Sequence, residues 1–306
     1  MNATRTRPID RILRICLSMM LAGLAAAAPP AMGQSSLSPP PGASVWSSSM
    51  HASMRLIDGG PDATNQALWR AGVEIRMDPH FKTYWRTPGD SGLPPVFDWA
   101  ASQNVANVEV LWPAPYRFED TAGSSIGYVG SVVFPVRVTL ADPRKPGQLV
   151  LKLDYAVCEK VCIPARGEAR LPISRQGLST PNSLVVLDWE TRVPREARLG
   201  AADAPALRSV AAAPSGEALT ITAVVPDKAS IVDVFVEGPD PWVFGAPLAV
   251  ATLPQGPGTR LVTYLVKVDN RPKDGKLPGM ALRLTLTAGD DAVETAAQLD
   301  AAGSAP

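Results

Sequence analysis

Apolar residues recur at every second position along most of this chain. Between Leu149 and Ile173, the residues Leu149, Leu151, Leu153, Tyr155 and Val157 alternate with Lys152, Asp154, Ala156 and Cys158. Side chains alternate faces along a strand, so the first set is expected to face a core and the second to face outward, with Cys158 on the wetter side. Pro164 and Gly167 interrupt the run, and Ala169, Leu171 and Ile173 resume it on a return strand. Shorter alternating stretches occur at Val73–Met77, Val108–Val110 and Phe134–Leu140. Turn clusters separate them: Asp58-Gly59-Gly60-Pro61, Pro88-Gly89-Asp90 and Ala141-Asp142-Pro143. Further on, Leu219, Ile221, Ala223 and Val225 alternate with Thr220 and Thr222. Val262, Tyr264, Val266 and Val268 do the same, as do Leu282, Leu284 and Leu286.

This period predicts an all-β protein. The expected architecture is an immunoglobulin-like β-sandwich over residues 45–178, which carries a cysteine pair, followed by a second, smaller β-sandwich-like domain over 205–300. Residues 179–204 read as a connector. Within it, Leu184–Arg192 suits one or two turns of helix stopped near Pro194, and 301–306 is left as a tail. The 31 prolines and scarce helical periodicity fit short strands and many turns.

The N-terminus reads differently. Arg5, Arg7, Arg11 and Arg14 precede a mostly apolar segment, Ile12–Ala28, and Ala31-Met32-Gly33 suits a small-residue cleavage site before Gln34. Residues 1–33 are therefore expected to be a signal peptide and 34–44 a Pro/Ser linker, with the mature protein in the periplasm and no membrane span after signal removal. Cleavage would take Lys+Arg from 29 to 25 and Asp+Glu from 29 to 28, a formal charge of −3. No basic patch stands out, which argues against nucleic acid as a partner.

Cys16 lies in the leader, so Cys158 and Cys162 would be the only cysteines of the mature chain. In one continuous strand their Cα atoms would stand roughly 13 Å apart. A disulfide needs about 4.4–6.8 Å, so the intervening Glu159-Lys160-Val161 must turn if the sulfurs are to join. A structural staple is the ordinary reading of such a pair in an exported protein. Loop length weakens it, because closing so short a ring contributes only about 2 kcal/mol, against nearly 5 for a loop of about 100 residues. A short ring with an accessible sulfur suits a labile, exchanging couple instead. Lys160 and Glu159 would push a neighbouring thiol in opposite directions, so these charges do not decide its acidity. Two other classes stand beside redox exchange. Met50-His51-Ala52-Ser53-Met54 offers soft ligands for copper, although a strand would turn His51 and Met54 to opposite faces. With His51 and His80 the only histidines, no closed zinc site is expected, nor any other cofactor. A non-catalytic adaptor built from two sandwiches is the third class.

Several segments together resemble one family. Tyr155-Ala156-Val157-Cys158-Glu159-Lys160-Val161-Cys162-Ile163-Pro164 is similar to the cysteine segment of the N-terminal periplasmic domain of DsbD/ScsB-type thiol:disulfide interchange proteins. The Cys-x-x-x-Cys spacing is closer to the ScsB-like branch. Asp78–Gly92, Trp112–Asp120, Ile126-Gly127-Tyr128 and Val133-Phe134-Pro135-Val136 resemble further stretches of that domain. The resemblance implies a thiol:disulfide oxidoreductase that carries electrons through Cys158 and Cys162, with Cys162 the one to bond the client. Its clients would be thioredoxin-like periplasmic proteins serving disulfide isomerisation, cytochrome c maturation or oxidative and copper stress. The sequence shows neither the family's membrane domain nor a Trp-Cys-x-x-Cys module, so a membrane-embedded thiol reductase on a separate chain is the expected electron donor. The family shields its cysteines with an aromatic cap loop. Phe118 is the candidate cap here, and Tyr84 and Trp85 are candidate walls of the site.

Overall fold

A computed structural model describes residues 41–305, apart from 91, 121–122 and 175–180. The expected signal peptide, Cys16 and most of the expected linker lie outside the described residues. No helix among those described is long and apolar enough to cross a membrane.

The first half contains eleven strands: β1 (Ser47–Ser49), β2 (Ala52–Pro61), β3 (Leu68–Met77), β4 (Lys82–Gly89), β5 (Val96–Asp98), β6 (Val105–Val110), β7 (Tyr116–Asp120), β8 (Gly123–Val129), β9 (Ser131–Leu140), β10 (Gly147–Cys158) and β11 (Cys162–Ile173). They form two antiparallel sheets. One has the order β1-β2-β3-β9-β6. The other runs β11-β10-β4-β8-β7, with β5 also on β10. Their inner faces meet in one core that includes Met54, Trp69, Phe134, Leu149, Leu151 and Leu153. This is the expected sandwich.

Alternation holds on β10 and β11, with two local departures. Leu149, Leu151, Leu153, Tyr155 and Val157 are buried and Lys152 and Asp154 exposed, as the pattern predicts. Ala156 and Cys158 share the outer face but are buried as well, because the Tyr84 side chain of β4 packs against them there. The outward face is therefore dry where it reaches the cysteine. The return strand also begins earlier than expected, at Cys162, and runs through Pro164 and Gly167. Pro164 is tolerated because β11 is the edge of its sheet, where a missing N–H costs no ladder bond. Gly167 is required by close packing, since a Cβ there would lie 2.4 Å from Cγ of Met54.

Asp58–Pro61 forms no turn but the end of β2, with a bulge between Asp58 and Gly60. The buried Asp58 carboxylate organises it by accepting from the Gly60 N–H at 2.9 Å and from Trp69 Nε1 at 2.7 Å. The connector holds α1 (Ser183–Glu190), whose Val186 packs against Ala43, Ile57 and Val133.

The second half adds β12 (Arg195–Glu196), β13 (Ala206–Ala212), β14 (Ala218–Pro226), β15 (Val232–Glu237), β16 (Val243–Phe244), β17 (Leu248–Gly256), β18 (Thr259–Asn270), β19 (Ala281–Ala288), β20 (Asp291–Gln298) and β21 (Ser304–Ala305). One sheet runs β12-β20-β19-β15 and the other β16-β18-β14-β13-β21, with β17 also on β18. Two details depart from the expected boundaries. Arg195–Glu196 of the connector pairs in parallel with β20, and Ser304–Ala305 of the tail pairs with β13.

The two sandwiches meet through β15 and β20. Val234 and Val236 on one face of β15 enter the second core. Asp233, Phe235 and Glu237 on the other face address the first sandwich. Phe235 joins the first core, with its ring 5.7 Å from that of Trp85. Glu237 takes Arg86 of β4 in a fork, with bonds of 3.0 and 2.7 Å, and Glu294 of β20 pairs with the same guanidinium. Thr87 donates to Glu237 at 2.8 Å. Asp233 pairs with Arg117 of β7 at 3.0 Å.

Candidate functional site

The site is the tip of the β10–β11 hairpin. Cys158 ends one strand, Cys162 begins the next, and the two are direct cross-strand partners. Residues so placed have Cα atoms about 4.5–5.5 Å apart, inside the range a disulfide accepts. The chain reversal thus falls wholly within Glu159-Lys160-Val161, and those three side chains are exposed. Both cysteines are thiols in this structure. Their sulfurs are 3.2 Å apart, with Cys162 Sγ donating to Cys158 Sγ.

Tyr84 closes the group. It stands on β4 two residues beyond Lys82, which pairs with Cys158 across the ladder. Its hydroxyl is 2.8 Å from Cys162 Sγ. Tyr84, Ala156 and Cys158 form a small buried cluster against which Cys162 packs. Burial, followed by the hydrogen bonds to Cys162 and Cys158, holds the Tyr84 phenol well above its ordinary range. The phenol therefore keeps its proton and serves as a donor to sulfur. The two thiols differ in exposure. Cys158 is 6% exposed, whereas Cys162 is half-buried. Burial pushes the Cys158 thiol up, and the Tyr84 hydrogen bond and the Lys82 charge pull back against it.

Lys82 is a buried lysine that the sequence reading passed over. Its ammonium donates to Ser125 Oγ at 2.7 Å and lies 5.5 Å from the ring centroid of Phe118. Alternation was the available signal, because Lys82 and Tyr84 share a face of β4. The structure thus brings Cys158, Cys162 and Tyr84 together. Phe118 stands one side chain further out, over Lys82. Trp85 does not wall the site. As the next residue after Tyr84 it points to the opposite face, where it is fully buried in the first core near Phe235.

The soft-ligand stretch is dispersed. His51 bonds Asp78 at 2.9 Å and stacks on Phe81, Met54 is in the core, and Met50 is exposed. Among the described residues no three His, Cys, Asp or Glu side chains converge as a metal site.

A family model described as "Thiol:disulfide interchange protein DsbD, N-terminal" matches residues 60–172, which include both cysteines and the whole of β4, β7 and β8. Residues 60–172 are a DsbD-type N-terminal domain. Residues 192–302 match a second family model, a domain of unknown function, DUF8393. The crystal structure of the N-terminal periplasmic domain of ScsB from Proteus mirabilis shares the fold. Its TM-score is 0.64 at 21% identity, over 85% of this chain and 98% of that one. That coverage exceeds either sandwich alone, so the common fold takes in parts of both. No curated protein matches the chain. Residues 60–172 are thus a domain of the thiol:disulfide interchange type.

Proposed function

We propose that this protein is a periplasmic electron relay that exchanges its Cys158–Cys162 couple with the disulfides of thioredoxin-like oxidoreductases. The observation that carries the reading is the hairpin tip itself: two thiols in cross-strand register, 3.2 Å apart, with a protonated phenol on one of them. Cys162 is the more accessible sulfur and opens the exchange. As thiolate it attacks one sulfur of the client disulfide, forming a Cys162–client bond and releasing the other client sulfur as thiolate. Cys158, losing its proton, then attacks Cys162 Sγ. The Cys158–Cys162 disulfide forms, the Cys162–client bond breaks, and the client departs as a dithiol. Two electrons have passed to the client. Tyr84 donates to the Cys162 sulfur whenever it carries charge, which stabilises the attacking thiolate and the leaving thiolate of the reverse step.

Re-reduction requires a dithiol donor, and a membrane-embedded thiol reductase fits that role. The test is equilibration of the purified protein with glutathione, with the Cys158–Cys162 state read by mass. A couple that cycles between dithiol and disulfide supports exchange. A pair that stays in one state across the whole glutathione range rules it out.

A further inference from the structure

The family model that matches the second sandwich describes a domain of unknown function, and the contacts of this sandwich with β4 and β7 suggest a role for it. We propose that it braces the thiol site: Glu237 and Glu294 hold Arg86, and thereby fix Tyr84 against Cys162. This rests on the exchange reading above and adds a positioning role for residues of the second sandwich.

Beyond Tyr84, few ladder bonds hold β4. Its ladder with β10 has two register pairs, Thr83 with Val157 and Lys82 with Cys158. A buried side-chain bond, Thr83 Oγ1 to the Ala156 carbonyl at 2.8 Å, adds to them. On the other edge, β4 pairs with β8 at Lys82, Tyr84 and the residue between them, and not again until Gly89. Tyr84 is thus the last ladder residue before a gap. Inside that gap sit Arg86 and Thr87, and the second sandwich takes hold of both. Arg86 follows Tyr84 by two residues, inside the stretch where the β4–β8 register shifts. Its guanidinium is also stacked on the Trp85 ring at 4.3 Å. The carboxylates come from two different strands, so the grip fixes direction as well as distance. On β7, Arg117 is held by Asp233 and lies over Phe235 at 4.9 Å. β4, which flanks β10, and β7, two strands further along the sheet, are therefore anchored to the same outside element. A hydrogen bond to sulfur at 2.8 Å tolerates little drift, and release of the clamp frees the strand that carries the hydroxyl.

The test is a double-mutant cycle read as the equilibrium constant with glutathione. Tyr84→Phe is expected to shift this constant about three- to tenfold toward the disulfide, since the hydroxyl stabilises sulfur in the reduced pair. Tenfold corresponds to about 30 mV. Glu237→Gln with Glu294→Gln is expected to shift it the same way, by about two- to fivefold. Added to Tyr84→Phe, the pair of Gln substitutions is expected to change nothing further. Should the doubly neutralised variant not fold, Arg86→Lys keeps the charge, loses the fork and carries the same expectation. A clamp variant that leaves the constant at the wild-type value overturns the brace, as does one that shifts it equally with and without the Tyr84 hydroxyl. Failure of the wild-type pair to cycle with glutathione at all is a different result, and it removes the exchange reading instead.

Discussion

The sharpest consequence of the site geometry is an asymmetry between the two sulfurs. Consider Cys158→Ser, which leaves Cys162, and Cys162→Ser, which leaves Cys158. Cys158 is 6% exposed, packed under Tyr84 and Ala156, and its thiol is raised above an ordinary value near 9. An ordinary thiol of that acidity is already only about one-hundredth thiolate at pH 7, and Cys158 falls below that. Reagent also has to wait for the Tyr84 side chain to move aside. Cys162 stands half-buried at the open end of the ladder, beside three exposed loop residues. The Cys162→Ser protein is therefore expected to alkylate at least about tenfold more slowly at pH 7 than the Cys158→Ser protein. Quenched iodoacetamide reactions read by mass give the two rates. The same asymmetry fixes which variant traps a client. Cys158→Ser retains the attacker and lacks the resolver, so mixed disulfides should accumulate on Cys162. Equal alkylation rates, or mixed disulfides gathered on Cys162→Ser instead, would refute the assignment of roles.

Three further perturbations test separate parts of the structure. Phe118→Ala removes the ring over the Lys82 ammonium and should cost about 1 kcal/mol in denaturant unfolding. Since Phe118 stands over Lys82 and not in the thiol cluster, Cys162 alkylation is expected to be unchanged, whereas a true cap would speed it. Gly127→Ala would place a Cβ 1.9 Å from the Thr83 carbonyl oxygen, backbone against backbone, at the level of Tyr84. A loss of about 3 kcal/mol or more is expected from a clash that no rotamer relieves, and a thermal midpoint equal to wild type would contradict the β4–β8 register. The last is a pH effect. The folded state raises the Cys158 thiol, so it favours the neutral form, and the reduced protein loses stability as pH climbs through the unfolded value near 9. The disulfide form has no such proton to lose. Unfolding midpoints of the oxidised and reduced proteins should diverge between pH 8 and 10, and parallel curves would show that Cys158 is not desolvated.

Period-two alternation gave the sandwich class because burial on one face is a local property that each strand writes into its own residues. The same alternation placed Leu149 to Val157 on the core side correctly. It failed at Ala156 and Cys158, where the Tyr84 side chain of the neighbouring strand packs on the outer face and long-range packing overrides the local pattern. Glycine and proline misled for a related reason. Asp58-Gly59-Gly60-Pro61 has turn chemistry, but the Asp58 carboxylate uses it to build a bulge inside β2. Pro164 and Gly167 look like breakers, but an edge strand forgives the one and Met54 demands the other. Tyr84 and Trp85 are adjacent on β4, and neighbours on a strand face opposite ways, so only Tyr84 reaches the thiols.

The clamp shows where legibility ends. Val232-Asp233-Val234-Phe235-Val236-Glu237 reads as one more amphipathic strand, whose acidic and aromatic face would ordinarily be assigned to solvent. Nothing local says that Arg86 and Arg117, some 120 to 150 residues earlier, will claim it. Removing Glu237 alone would leave a guanidinium largely desolvated and most of its bonds unmade, a loss of about 3–5 kcal/mol for a buried pair, whereas apolar residues at all partners can be nearly neutral. Such a group of ions is a poor way to gain stability and a good way to fix an angle. Its position, two residues from the tyrosine that touches the thiol, is what a positioning device requires and what a simple adhesive between two sandwiches does not.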